Sequence, residues 1–180
     1  MTEVLLSGAE ALAEPLRGFY AYWNSLPKQG ALPRLSDFFD HVPPAYAPYL
    51  AIVDVHGPQE ARIRLFGTRL VDRAEFDPTG LSVANVYTES LRRKIHDVMW
   101  AAVQTPCGYL VHRTIVVRSG FLNEHVSLGL PVEIPTSKVR GVITLTHGVA
   151  DARMIDRGTD TLVHELRLDR WIDLGAGGPR

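Results

Sequence analysis

At 180 residues and 46% apolar content, the chain is long enough for one good core, since domains of this size bury roughly two-thirds of their unfolded surface. Its 19 Lys+Arg nearly cancel 20 Asp+Glu, so no strong field draws in nucleic acid or an anionic membrane, and neither is expected as a partner. The lone Cys107 excludes an internal disulfide, and Met1 to Leu6 lacks the charged and apolar regions of a secretory signal, so a soluble, cytoplasmic protein is expected.

From Ala9 to Leu26, Leu12, Leu16, Phe19, Tyr20 and Trp23 recur at three- and four-residue steps, which predicts a helix with one apolar, aromatic-rich face. Proline is costly in a helix interior, so the helix should start near Pro15; Pro27 and Gly30 end it. Leu32 to Phe39 reads as a short helix capped by Ser36, ahead of the Pro43-Pro44 turn. Tyr49 to Val55 is a β-branched apolar run, and the turn His56-Gly57-Pro58 pairs it as a hairpin with Ala61 to Phe66, where Arg62 and Arg64 alternate with apolar residues. Asp77-Pro78-Thr79-Gly80 is a turn. A helix follows, capped by Thr88, with a buried stripe through Leu91, Ile95, Val98 and Ala102, and it stops before Pro106.

Three strand-like runs then extend from Tyr109 to His147. Val126, Leu128, Leu130, Val132 and Ile134 share one face, and His125, Ser127, Gly129, Pro131 and Glu133 take the other. Pro131 and Pro135 lack a backbone donor, so this strand is expected to fray or bulge toward its end. Val139 to Leu145 repeats the alternation, with Ser119-Gly120 and Thr136-Ser137 as hairpin turns. The charged tail after Gly148 ends in Gly175-Ala176-Gly177-Gly178-Pro179, which reads as a flexible terminus.

The order of these elements, together with Leu32-Pro33-Arg34 to Asp37, the run Tyr49 to Val55, the strand ending Leu65-Phe66-Gly67-Thr68 and the Gly80 before a helix, resembles the bacterial family of small, standalone PAS-like proteins over roughly Pro33 to His147. The resemblance implies an α+β fold, a five-stranded antiparallel sheet with helices on one face, preceded by the N-terminal helix. It implies a helical segment over 1–30, a PAS-like domain over 31–148 and a C-terminal extension over 149–180. By the same resemblance the chain would be a non-enzymatic sensory or regulatory module working through a small ligand or protein contact, with a homodimer and an unidentified signalling protein as partners.

The search for chemistry excludes more than it finds. The seven histidines are scattered, with no His-Glu-X-X-His run. His112, His125 and His147 are placed to meet across neighbouring strands, a metal set weighed against ordinary positions on a sheet face. There is no Walker loop, no Gly-X-Ser-X-Gly elbow and no reactive-cysteine motif around Cys107. No cofactor is named by the sequence. Two alternatives stay open: a haem sensor through His96, on the helix before the last strands but off the apolar stripe's centre, or a small hydrolase using His112 with a carboxylate.

For a small apolar ligand the expected lining is Ile63, Leu65, Val126, Leu128, Leu130, Ile143 and Leu145 on the inner sheet face, with Leu70, Val86, Ile95 and Met99 closing over it; the same residues also describe a filled core. Leu12, Leu16, Phe19, Tyr20 and Trp23 are the expected dimer interface, against the alternative that their helix folds back on its own sheet.

Overall fold

The structure is a computed structural model and describes residues 5–8, 12–136, 139–148, 153–154 and 162–179. In chain order its elements are β1 (Leu5–Ser7), α1 (Leu16–Ser25), β2 (Lys28–Gln29), β3 (Leu32–Pro33), α2 (Leu35–Asp40), β4 (Leu50–Gly57), β5 (Glu60–Phe66), α3 (Thr68–Ala74), α4 (Glu89–Gln104), β6 (Cys107–Val116), β7 (Phe121–Ile134), β8 (Val139–Gly148), β9 (Arg153–Met154) and β10 (Leu162–Asp173). Short 3-10 turns lie at Ala47–Tyr49 and Val83–Val86.

Five strands pair antiparallel in the order β6-β7-β8-β4-β5. A sixth, β10, runs antiparallel along β6 from Leu162↔Val116 to Asp173↔Cys107, and β1 adds a short parallel strand outside it. The segment read as a charged tail thus supplies a long strand, because Val163, Leu166 and Ile172 are buried between its charges. The glycine-rich end is also turned, with the Gly175 and Gly177 N–H groups donating to Asp173 Oδ1 at 2.8 and 3.0 Å.

Both faces of the sheet are covered. On one, Leu50 and Ile52 of β4, Leu110 of β6, Val126 to Ile134 of β7 and Ile143 and Leu145 of β8 pack against Leu16, Phe19 and Trp23 of α1 and Phe38 of α2. On the other, Val53, Val55, Ile63, Tyr109, Val111 and Val142 meet Ile95, Val98, Met99, Ala102 and Val103 of α4. Strict alternation fails in β5: Ile52 pairs with Leu65 but Val53 with Ile63, so Arg64 is an extra residue and Ile63 and Leu65 face opposite layers. The bulge lets Arg64 grip Asp54 with two bonds of 2.7 Å.

Smaller expectations are corrected by local geometry. α2 begins at Leu35 with Arg34 at its N-cap, so Ser36 is inside the helix. Thr88 does hold the N-cap position of α4, without a side-chain cap bond. β7 neither frays nor bulges at Pro131; it stays paired with β8 from His125↔Gly148 through Pro131↔Val142 to Ile134↔Val139. Of the two hairpin turns, Gly120 sits at φ +83 and donates to the Val117 carbonyl, while Ser137 lies outside the described residues. Gly67 shows why the turn after β5 takes glycine: an added Cβ would run into the Pro48 carbonyl group.

Candidate functional site

The layer between α3, α4 and the sheet has a polar floor. β7 turns His125, Ser127 and Gly129 toward it, β8 adds Thr144 and Thr146, and β6 adds Arg113 opposite His125. His125, Ser127, Thr144 and Thr146 are all buried. Gly129 has no side chain because the Tyr109 ring occupies that space. Tyr109 is held edge-on to Trp171, and burial pushes its phenol well above the usual tyrosine range, with Arg113 pulling the other way.

Arg113 is the hub of this floor. Its Nη1 donates to Tyr87 Oη at 3.2 Å and its Nη2 to Ser127 Oγ and, at 3.3 Å, to Thr146 Oγ1; the two hydroxyls are themselves 2.8 Å apart. All these partners are neutral. Among the described residues, Arg113 Nε is buried without a partner, and so is His125 Nδ1. Burial drives the His125 imidazole down to about 4, helped by Arg113, Arg73 and His147, so it is neutral at pH 7.

Two adjoining cavities open above Arg113. One, of about 60 Å³, lies among Phe66, Phe76, Val86, Tyr87, Ile115 and Val163. The other, of about 40 Å³, lies among Leu70, Arg73, His125 and Thr146. Phe66, Ala74, Arg113 and Ile115 line both. A third cavity, open and about 290 Å³, has His112, Thr114, Glu124, Glu165 and Arg167 along its walls, with Arg113 and His125 at one side.

The expected ligand-lining residues divide between the two layers. Leu70 and Val86 line the cavities, and Ile63, Ile95 and Met99 belong to the same layer without lining either. Leu65, Val126, Leu128, Leu130, Ile143 and Leu145 do not reach this layer: they pack on the opposite face, under α1 and α2. α1 and α2 cover the apolar face of β7, and the cavities that Leu70 and Val86 line lie over its polar face. Arg113, Phe66, Ile115 and Tyr87 were missed. Their signal was Arg113 itself, a charged residue at the inward position of a strand otherwise carrying Tyr109, Val111 and Ile115 there.

Of the expected dimer residues, Leu12, Leu16, Phe19 and Trp23 are buried within their own chain and Tyr20 is half-buried against the same cluster. Trp23 is anchored further by its Nε1 donating to the Pro131 carbonyl at 3.0 Å. The helix face therefore completes the core of its own chain.

The histidines do not converge. His112 and His147 are both register partners of Val126, one residue away from His125 and its inward face, and among the described residues no three or more His, Cys, Asp or Glu groups are grouped to hold a metal. His112 forms no hydrogen bond to a described residue; of the carboxylates that act on it, Asp169 accepts from Arg167 and Arg170, and Glu165 in the same cavity accepts from Thr114 Oγ1 at 3.0 Å, so no oriented acid–base pair stands there among the described residues. His96 is 3% exposed rather than partly exposed, its Nδ1 has no partner, and burial lowers its pKa. It lines neither cavity above Arg113, and cavities of about 60 and 40 Å³ do not admit a porphyrin, so the residues present do not fit haem. Cys107 is buried, and burial, with Asp173 adding, pushes its thiol up to about 12, far from an activated nucleophile.

A family model for the PAS domain matches residues 12–130. The chain belongs to the PAS domain family. The match takes in α1 and α2, which lie ahead of the five-stranded sheet, and ends within β7 at Leu130. PAS domains are sensory and regulatory modules. No curated protein matches the chain, and no solved structure matches it. No helix among the described residues is long and apolar enough to cross a membrane.

Proposed function

We propose that this PAS domain is a sensory module that binds a small molecule in the cavities above Arg113 and signals its occupancy by contact with a protein partner. The observation that carries the reading is the pair of adjoining cavities, walled by Phe66, Ala74 and Ile115 and floored by a buried polar cluster. One water fills about 10–15 Å³ of such volume, so together they take a ligand of a few heavy atoms. A route outward is supported by Tyr87. Its hydroxyl accepts from Arg113, its backbone bridges Val163 of β10, and the next residue, Thr88, caps α4 and donates to the Val163 carbonyl at 3.1 Å. A ligand that moves Arg113 pulls on the join between α4 and β10.

The test is a thermal-shift panel of small anionic, neutral and cationic compounds on the full chain and on Ala74→Phe. Ala74 is 7% exposed and lines both cavities. A ligand present at 100 times its Kd adds about 2.7 kcal/mol. The expected result is that at least one class raises the midpoint in the wild type and none does in a folded Ala74→Phe. If no compound shifts the wild type, native mass spectrometry of protein from its own cells finds no bound molecule, and Ala74→Phe loses about 1–3 kcal/mol as a filled core would, the sensor reading is wrong.

A further inference from the structure

We infer that the ligand of this site is a small carboxylate with a short apolar body, its carboxylate held by the Arg113 guanidinium beside His125 and its body lying against Phe66 and Ile115. The inference rests on the small-molecule reading above and adds the chemistry of the ligand.

Arg113 is a permanent cation, set on a strand face whose other members are Tyr109 and Val111. Arg113 is half-buried, and a cation partly withdrawn from water normally sits against a carboxylate, because desolvation is otherwise uncompensated. Arg113 has no ion pair with any described residue; its partners are the hydroxyls of Tyr87, Ser127 and Thr146. Hydroxyls orient a guanidinium without neutralising it. The two glutamates that share the open cavity with it do not pair with it, and Glu165 is engaged by Thr114.

Polar atoms are also left over. A guanidinium has five N–H groups, and Nε has no partner among the described residues. His125 is 4% exposed and its Nδ1 has none either. Arg73, on α3, lines the cavity that His125 lines, and no Asp or Glu lines either of the two cavities above Arg113. Positive charge without negative charge, in a partly dry site, selects an anion.

Shape then selects among anions. The remaining walls are Phe66, Phe76, Val86, Ile115 and Val163, which give inorganic phosphate nothing to exchange for its lost hydration. A planar carboxylate matches the guanidinium fork, and a short aliphatic or single-ring body matches the apolar walls. The volume excludes anything the size of a nucleotide.

The experiment titrates the full chain with butyrate and benzoate, their neutral isosteres butyramide and benzamide, and inorganic phosphate, in buffers without carboxylates. Carboxylates are expected to raise the unfolding midpoint, with the amides at least roughly tenfold weaker. Arg113→Gln is expected to weaken carboxylate binding on the order of 10- to 100-fold, the range for a charged hydrogen bond, each midpoint being compared with that of the same variant without ligand. Amides that bind as well as carboxylates, phosphate that matches them, or an Arg113→Gln chain that binds unchanged each overturn the inference. Amide binding that Ala74→Phe abolishes would leave the small-molecule reading standing, whereas silence from every compound would overturn the carboxylate inference and leave the small-molecule reading to the panel and mass spectrometry above. Should Arg113→Gln fail to fold, the wild-type contrast between carboxylate and amide decides alone.

Discussion

Trp23 decides what the N-terminal helix is for. Its side chain is 1% exposed, it packs among Leu16, Phe19 and the β7 leucines, and its indole N–H donates to the Pro131 carbonyl at 3.0 Å. Replacing a buried Trp by Ala costs about 3–5 kcal/mol, and the carbonyl left without its donor adds about 1 kcal/mol. That is a large share of the 5–15 kcal/mol by which a typical domain is stable. At about 2–4 °C per kcal/mol for a chain of this size, Trp23→Ala should unfold roughly 8–24 °C lower, and Trp23→Phe, which keeps a ring and loses only the donor and some volume, well under half as far. The assay is thermal unfolding by circular dichroism, run beside light scattering. A helix built for self-association gives the opposite outcome. If the wild type is a dimer and Trp23→Ala converts it to a folded monomer with the same midpoint, the burial argument is refuted.

Two glycines test two different constraints. Gly67→Ala keeps a permitted backbone, φ −64, but drives a Cβ into the Pro48 backbone, so it should cost about 3 kcal/mol, at the upper end for overpacking. Gly80→Ala meets nothing within 4 Å and suffers only from φ +86, about 1–2 kcal/mol; equal losses by urea titration would contradict the distinction. The pH dependence follows from His125, whose folded pKa is lowered by burial and by Arg113, Arg73 and His147 to about 4 from 6.5. The unfolded imidazole takes up its proton near pH 6.5 and the folded one resists, so stability is whole above that pH and falls by about 3 kcal/mol as pH drops toward 4. His96 and His112, also lowered by burial, act in the same sense. Urea midpoints from pH 7 to 4.5, with His125→Gln flattening the slope, are the measurement; a flat wild-type profile rejects it.

The sheet was legible because its strands carry their own turns. His56-Gly57-Pro58 and Ser119-Gly120 join β4 to β5 and β6 to β7 as their spacing predicts. The last strand was not legible, since β10 alternates charge with apolar residues irregularly; its register shifts between Val163 and Glu165 and between Leu168 and Arg170, and each shift breaks the period of two. Arg64 hides the change of face between Ile63 and Leu65 in the same way. β7 alternates cleanly, but the rule that the apolar side of a strand faces the enclosed interior does not carry over to these cavities, which lie over its polar side. A sheet with one solvated face obeys that rule. This one has none, because α1 and α2 close the apolar side.

That second cover explains how the site comes to be polar. With the aliphatic side of β7 and β8 already sealed by Leu16, Phe19, Trp23 and Phe38, the opposite side is free to carry Ser127, Thr146 and His125 without sacrificing the main core. α4 fills the lower part of that side with Ile95, Val98 and Met99, and the upper part, where α3 is only seven residues long, is left to the cavities. Arg113 is the residue that makes the difference matter. An aliphatic side chain there would extend the run of Tyr109, Val111 and Ile115 into a filled core, whereas a guanidinium fixed by three hydroxyls keeps an unpaired charge at the base of an apolar pocket. A fold that needed only stability would have no reason to hold it.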